Sequence, residues 1–422
     1  SRQAKLETIR KAMAESGAEQ VLMTALDEIA WTFNLRGDDI PSNPVNMAFA
    51  LVGRDRARLF MAASKVEKDL ADLLAEQGIL VSADQDITNA LGQIPKDQTI
   101  WLDPEKTSFA LFSAVSRDCR IIEKPLPSEG LKAVKNAREI AHIRETAVKD
   151  GAAVVNFLYW LAHRDKKTTE VSAAERLLAF RQQQPDFTGV SFTSIMAFGA
   201  HSAICHYSAD GDSDVEIDDQ GMFLTDSGGN YLTGTTDITR TLHLGQASAR
   251  EIRDYTLVLK GHIAVATALF PAGTKGFQID TLARQHLWKQ GMNFGHGTGH
   301  GVGFFLSVHE GPARISPHPV DVALEPGMLL TNEPGVYREG KYGIRLENMI
   351  LVQEARKTEF GKFLRFENLT LCHFEKKLMD KTLLTREEVQ WINQYHERVY
   401  EKLKPCLAPE VGQWLRRKTR EL

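Results

Sequence analysis

Hydrophobic positions along the first 126 residues switch repeatedly between a period near 3.6 and a period near 2. The first period predicts helices over 4–15, 27–35, 66–76 and 87–91, and the second predicts strands over 20–25, 46–52, 58–62, 79–82 and 99–102. Helices and strands taken in turn make an α/β layer domain. Pro125 and Pro127, followed by Ser128-Glu129-Gly130, predict a linker behind it. From about residue 131 the chain repeats one pattern. Helical spacing over 137–163 and 169–183 precedes β-rich sequence over 190–244. After Gly245 the order recurs, with helices over 249–270 and 277–290, broken at Pro271-Ala272-Gly273, and β-rich sequence over 293–352. Two helix-helix-sheet halves imply an internal duplication, with a site where the halves meet. A charged helical pattern fills 376–422, most regularly 386–403, and predicts an appended segment whose charges form a solvated face. The expected division is therefore 1–128, 129–375 and 376–422.

Composition narrows the function classes. At about 150 residues per domain, 422 residues make two or three domains, each able to bury a core. Lys plus Arg numbers 51 against 55 for Asp plus Glu, a net charge of -4, which argues against nucleic acid as a partner. Cys119, Cys205, Cys372 and Cys406 are far apart in sequence and read as free buried thiols in a reducing compartment. The longest apolar run, 151–162, is shorter than the roughly 20 residues of a membrane-spanning helix. No charged-then-apolar leader precedes it, so a cytoplasmic protein without membrane contact is expected.

The densest chemistry lies in 294–310, F-G-H-G-T-G-H-G-V-G-F-F-L-S-V-H-E, which holds His296, His300 and His309 among alternating glycines. Glycine at every second position suits a backbone that a ligand, a metal or another chain segment approaches closely. A dinucleotide loop is excluded by spacing, because His300 and Val302 stand where G-x-G-x-x-G needs glycine. Each half also ends in β-sequence with two carboxylates. A hairpin centred on residues 231 and 232 sets Asp226 opposite Asp237, and one centred on Gly340 sets Glu333 opposite Glu347. Two like charges about 4 Å apart repel by about 4 kcal/mol at an effective dielectric near 20. Four crowded carboxylates need protons or divalent cations. With a histidine nitrogen nearby and no thiolate, the donors suit two ions such as Mn²⁺, Zn²⁺ or Co²⁺. Such a pair lowers the pKa of a water to near 7, which points to hydrolysis of a carbonyl-type bond. Singly, each of these residues is more often a turn or core group; their corresponding placement in two halves is the signal.

The segments T-D226-S-G-G-N-Y-L-T-G-T-T-D237-I-T-R-T, H296-G-T-G-H300-G-V-G, V-H309-E-G-P, N-E333-P-G-V-Y and G-I-R-L-E347-N resemble the signatures of the creatinase/prolidase-like metallopeptidases of pita-bread fold. The similarity is greatest to the Xaa-Pro aminopeptidases of long cytosolic type. It extends to A-L-D-E-I-A-W-T-F-N-L-R-G-D-D-I at 25–40 and L-T-R-E-E-V-Q-W-I-N at 384–393. The resemblance implies an α/β domain ahead of an α+β pita-bread catalytic domain. It implies Asp226, Asp237, His300, Glu333 and Glu347 as ligands of two Mn²⁺ ions, with Asp237 and Glu347 bridging. Glu333 is then the general base, and His309 and His206 hold substrate and assist catalysis. His296 stands beside them, and Arg345 orients carboxylates and substrate. Peptides with proline second are the implied substrates, and a homodimer the implied full-length assembly. Long members carry a further α/β domain before the residues matched here, whereas this chain opens at Ser1-Arg2. Two alternatives stand beside this expectation: a prolidase restricted to Xaa-Pro dipeptides, and a catalytically silent pita-bread module that binds peptide or protein.

Overall fold

The computed structural model describes residues 1–164 and 167–422. They form two compact units, Ser1–Lys132 and Ala133–Leu422.

The first unit is built on a six-stranded sheet in the spatial order Ile79–Ser82, Ala57–Met61, Ala48–Gly53, Gln20–Met23, Thr99–Leu102, Arg120–Glu123. Ala48–Gly53 is antiparallel to both its neighbours, and the remaining pairs are parallel. Apolar residues cover both faces. Leu6, Ile9 and Met13, one stripe of the helix Arg2–Ser16, pack on one face, and Leu91, Ile94 and Leu111 on the other. Gly17, at φ 72, ends that first helix in the left-handed conformation glycine adopts most easily.

Sequence spacing mistook one segment here. The stretch expected as a linker is a helix, Pro127–Ala133. Proline is tolerated in a first helical turn, where its missing N–H has no partner to lose. Burial then decides the matter: the Ser128 hydroxyl donates to the fully buried Glu28 carboxylate, and Leu126 packs in the core.

The second unit carries the repeat. Its helices Ala137–Ala162 and Ala249–Ala266 both start at a reciprocal cap, Asn136 with Glu139 and Ser248 with Glu251. Each is followed by a second helix, Glu170–Gln182 or Gly276–Trp288, and then by strands. The first half's strands Ile195–Phe198, Gly221–Ser227 and Ile238–Leu244 form a three-stranded sheet, and the second half builds one of six. No helix among the described residues is long and apolar enough to cross a membrane.

Residues 376–422 are helical with an exposed charged face, as expected, but they are built into the core rather than appended to it. The helices Arg386–Leu403 and Pro409–Lys418 place Ile392, Val399, Leu403, Trp414 and Leu415 in the main core, and Glu388 pairs with Lys260 at 2.5 Å. Apolar positions every three or four residues made one face of this segment a core face, and the charges occupy the other. The cysteines are free as expected, but only Cys119 and Cys372 are buried; Cys205 is half-buried and Cys406 exposed.

Candidate metal centre

Two hairpins bring the carboxylates together, and their registers differ from each other. In the second half, Leu330 pairs with Ile350, Asn332 with Asn348 and Gly335 with Arg345, all centred on Gly340. Glu333 and Glu347 therefore fall opposite one another, as the symmetric hairpin required. In the first half, Ser227 pairs with Ile238 and Tyr231 with Gly234, so the centre lies between residues 232 and 233. That moves Asp226 opposite Thr239 rather than Asp237. The connection closes on Leu232-Thr233, and a shift of two residues keeps both aspartates on one face, diagonally placed.

His300 lies on the short strand Gly299–Gly301. Its Nδ1 is 2.9 Å from the carbonyl oxygen of Gly301, which can only accept, so in the neutral ring that nitrogen carries the proton and Nε2 keeps its lone pair. Nε2 stands 3.4 Å from Asp237 and 3.6 Å from Glu333, too far for strong hydrogen bonds and close enough to share a ligand. One donor atom each from Asp237, His300 and Glu347 falls within 4.8 Å of the others. Asp226 reaches the group through Arg345, whose Nη2 donates to its Oδ2 at 2.5 Å. The other oxygen, Oδ1, is buried without a hydrogen-bond partner.

Electrostatics support the same assignment. Burial, with Asp226 and Glu333 nearby, holds the Asp237 proton well above the usual carboxylate range. Burial and the charges of Asp237 and Glu333 do the same to Glu347, and burial raises Glu333. Carboxylates so placed are stable only when protonated or when countered by cations. An orphaned buried oxygen, three strained carboxylates and an imidazole presenting a bare Nε2 fit divalent ions.

A cavity of about 710 Å³ opens on this cluster. All five acidic or imidazole donors line it, together with His206, His296, His309 and Arg345. The rings of His309 and His300 are 4.2 Å apart, and burial beside His300 lowers the pKa of His309. His296 is held at about 4 mainly by burial; its Nδ1 donates to Gly297 O at 2.7 Å, which leaves Nε2 to accept from the Tyr337 hydroxyl at 2.8 Å. His206, exposed in the loop after the turn Gly199–Ala203, reaches the cavity from the first half. Every residue named from the sequence is thus in or beside one cavity.

Several contributors were missed. The Tyr337 hydroxyl accepts from Arg345 Nη1 at 2.7 Å, and Thr239 donates to Glu347 Oε2 at 2.7 Å while accepting from Arg345 Nε at 3.2 Å. Both stand inside the acidic motifs, Thr239 two residues after Asp237, where strand alternation returns it to the same face. The cavity wall of Phe192, Thr193 and Ile195 carried no sequence signal.

Comparison with known proteins agrees with this geometry. Residues 1–139 match the Creatinase/Prolidase N-terminal domain, 141–354 Metallopeptidase family M24, and 362–422 the C-terminal region of that peptidase family. A probable Xaa-Pro aminopeptidase P of Sordaria macrospora is 41% identical over 98% of this chain and 71% of its own. Xaa-Pro aminopeptidase 1 of Dictyostelium discoideum is 40% identical over 99% of this chain and 68% of its own. Among solved structures, an X-prolyl aminopeptidase from Caenorhabditis elegans, described as a cytosolic enzyme with a di-nuclear active site, superposes with a TM-score of 0.96. It is 33% identical, over 100% of this chain and 71% of its own. An Xaa-Pro dipeptidase from Bacillus anthracis superposes less closely, at a TM-score of 0.71 and 27% identity, over 89% and 99% of the two chains. With the carboxylates and histidine of its cavity, this chain belongs to Metallopeptidase family M24.

Proposed function

We propose that this chain is an Xaa-Pro aminopeptidase, which hydrolyses the bond between an N-terminal residue and a following proline. The observation that carries the proposal is the meeting of Asp237, His300 and Glu347 donors within 4.8 Å at the floor of a peptide-sized cavity. Asp226, Asp237, His300, Glu333 and Glu347 would hold two divalent ions, which we assign as Mn²⁺, with Zn²⁺ or Co²⁺ as alternatives. When bound, such ions supply Lewis acidity, lowering the pKa of a water to near 7 and polarising the substrate carbonyl.

The chain's own residues do the rest. Glu333 Oε1 takes the proton of the attacking water and delivers it to the proline nitrogen as the C–N bond breaks. His309 and His206 face the cavity from opposite halves and donate to the carbonyl oxygen as it gains charge. Arg345 holds Asp226 in place, and through Tyr337 it also orients His296. The Xaa-Pro bond is a tertiary amide without an N–H, so a site for it needs shape where other peptidases use a hydrogen bond. Phe192 and Ile195 with the histidine rings offer an apolar wall for the ring, and the acidic floor attracts the free α-amino group.

We place the protein in the cytoplasm and, at full length, in a homodimer. Metal analysis after mild dialysis tests the centre: up to two transition ions per chain are expected, lost in Asp237→Ala, and a folded wild type without ions rejects it. Incubation with Mn²⁺ and either Ala-Pro or an Arg-Pro-Pro peptide tests the substrate. Cleavage of the longer peptide is expected, and cleavage of the dipeptide alone assigns a prolidase instead.

A further inference from the structure

Glu170 is fully buried at the first position of the helix Glu170–Gln182, where the partial positive charge of the helix end favours a carboxylate. Its partners belong to the segment that carries His206. The Phe198 N–H donates to Oε1 at 2.6 Å, the Tyr207 hydroxyl donates to Oε2 at 2.7 Å, and Nδ1 of His201 stands 3.0 Å from the same Oε2. A carboxylate only accepts, so that histidine nitrogen carries a proton. The rings of His201 and Tyr207 also stack, 4.4 Å apart. Burial and the bond to Glu170 push the Tyr207 hydroxyl up to about 12, which keeps it a donor throughout the neutral range.

The backbone between His201 and Tyr207 makes two turns in succession. The Ile204 N–H donates to the His201 carbonyl oxygen at 3.0 Å, and the Tyr207 N–H donates to that of Ile204 at 3.1 Å. Glu170 therefore grips the first residue of one turn and the last residue of the next. His206 lies inside the second turn, and while its neighbour Tyr207 is buried, His206 itself faces the active-site cavity. Among the described residues its side chain has no hydrogen bond or ion pair, so the backbone alone fixes where the ring points. The first turn is anchored from the second half as well, since Ser202 Oγ accepts from the Gly343 N–H at 2.7 Å.

We propose that Glu170 is a positioning residue for His206: by holding His201 and Tyr207 at the two ends of a double turn, it presents the His206 imidazole to the substrate carbonyl oxygen. The inference rests on His206 donating to that oxygen, as proposed above. A donor aimed at developing charge acts in the transition state, so displacing it lowers kcat and leaves KM. A misplacement of about 1 Å can cost about 100-fold in rate.

The test is steady-state kinetics with Mn²⁺ and an Arg-Pro-Pro peptide in wild type, Glu170→Gln, His206→Ala and the double variant. Glutamine keeps the shape and one accepting oxygen, and sets an amide donor against the donors of His201 and Tyr207. Glu170→Gln should lower kcat about tenfold or more with KM within about twofold of wild type, and His206→Ala should lower kcat about 100-fold. In the double variant the loss should equal that of His206→Ala alone, because no imidazole is left to position. Losses that multiply overturn the proposal, since general damage to the fold gives that result. Mn²⁺ uptake by Glu170→Gln, read by calorimetric titration, should match wild type; a loss of uptake also overturns it, because the effect would then run through the metal centre. Tyr207→Phe keeps the ring on His201 and removes only the hydroxyl, and it takes the place of Glu170→Gln in the same cycle if that protein does not fold. Should His206→Ala turn over as wild type does, the mechanistic assignment of His206 fails and this proposal with it, whereas multiplying losses reject the positioning role alone.

Discussion

Nη2 of Arg240 lies 3.1 Å from the hydroxyl of Tyr395, joining a strand of the first half to the C-terminal helix. The same buried guanidinium donates to the carbonyl oxygens of Glu347 at 2.6 Å, Thr239 at 2.9 Å and Cys372 at 2.8 Å, and lies over the Phe374 ring. The backbone that presents Glu347 is therefore tied to the tail. Deleting 384–422 is expected to expose the core face of both halves and give aggregated protein on size-exclusion chromatography. Tyr395→Phe removes one hydroxyl and should cost about 1 kcal/mol in urea unfolding. A soluble, ion-binding truncation would show that the tail is dispensable.

Arg345 gives the second prediction. It is 3% exposed and donates to Asp226, Thr239 and Tyr337 from three different nitrogens. Lysine has one nitrogen at that depth and cannot span the three. Arg345→Met should lower the stability of the ion-free protein by about 3–5 kcal/mol, because it strands a buried carboxylate. Arg345→Lys should fall between Met and wild type. Equal unfolding midpoints for all three would show that the guanidinium holds nothing.

Acid sensitivity follows from histidines away from the site. Burial holds both His262 and His396 at about 3, and lowers His373 well below its ordinary value. An unfolded imidazole titrates near 6.5, so the unfolded chain takes up these protons first. Their contribution to stability is complete above about 6.5 and is lost as pH falls toward about 3, at about 1.4 kcal/mol per pH unit for each group. The raised carboxylates act oppositely in ion-free protein, so a difference measurement is needed. His396 Nε2 accepts from Phe374 N at 3.0 Å, a bond a glutamine oxygen can replace. Urea unfolding of His396→Gln at pH 7 and pH 5 should show a flatter loss than wild type; parallel losses would contradict it.

These cases also show which features sequence could carry. The duplicated order of helices and strands was legible because its periods are long and its halves alike. Glu333 and Glu347 were placed opposite one another because a single glycine, Gly340, marks the centre of their hairpin. Asp226 and Asp237 were offset by two residues because S-G-G-N-Y-L-T-G offers several turn centres, and only packing selects Leu232-Thr233. Tyr337 and Thr239 carry no such mark, because a lone hydroxyl looks the same in sequence whether it faces solvent or a buried partner.

The alternating glycines make the last prediction, and the structure separates them. A side-chain carbon on Gly299 would lie 2.0 Å from the Thr331 carbonyl oxygen, and one on Gly301 would lie 2.2 Å from that of Glu310. Gly295 has nothing within 4 Å. The close neighbours are strands of the same half, so these glycines let His300's strand pack between Leu329–Asn332 and Glu310–Ile315; they do not mark an approach between the halves. Because the obstacle is backbone on both sides, Gly299→Ala must displace a strand that leads to Glu333. It should cost about 3 kcal/mol or more and weaken ion binding at His300. Gly295→Ala, with open space and no positive φ, should instead add about 0.4–1 kcal/mol by restricting the unfolded chain. Thermal unfolding with and without Mn²⁺ reads both, and an undisturbed Gly299→Ala would mean that the glycines answer to the ligand alone.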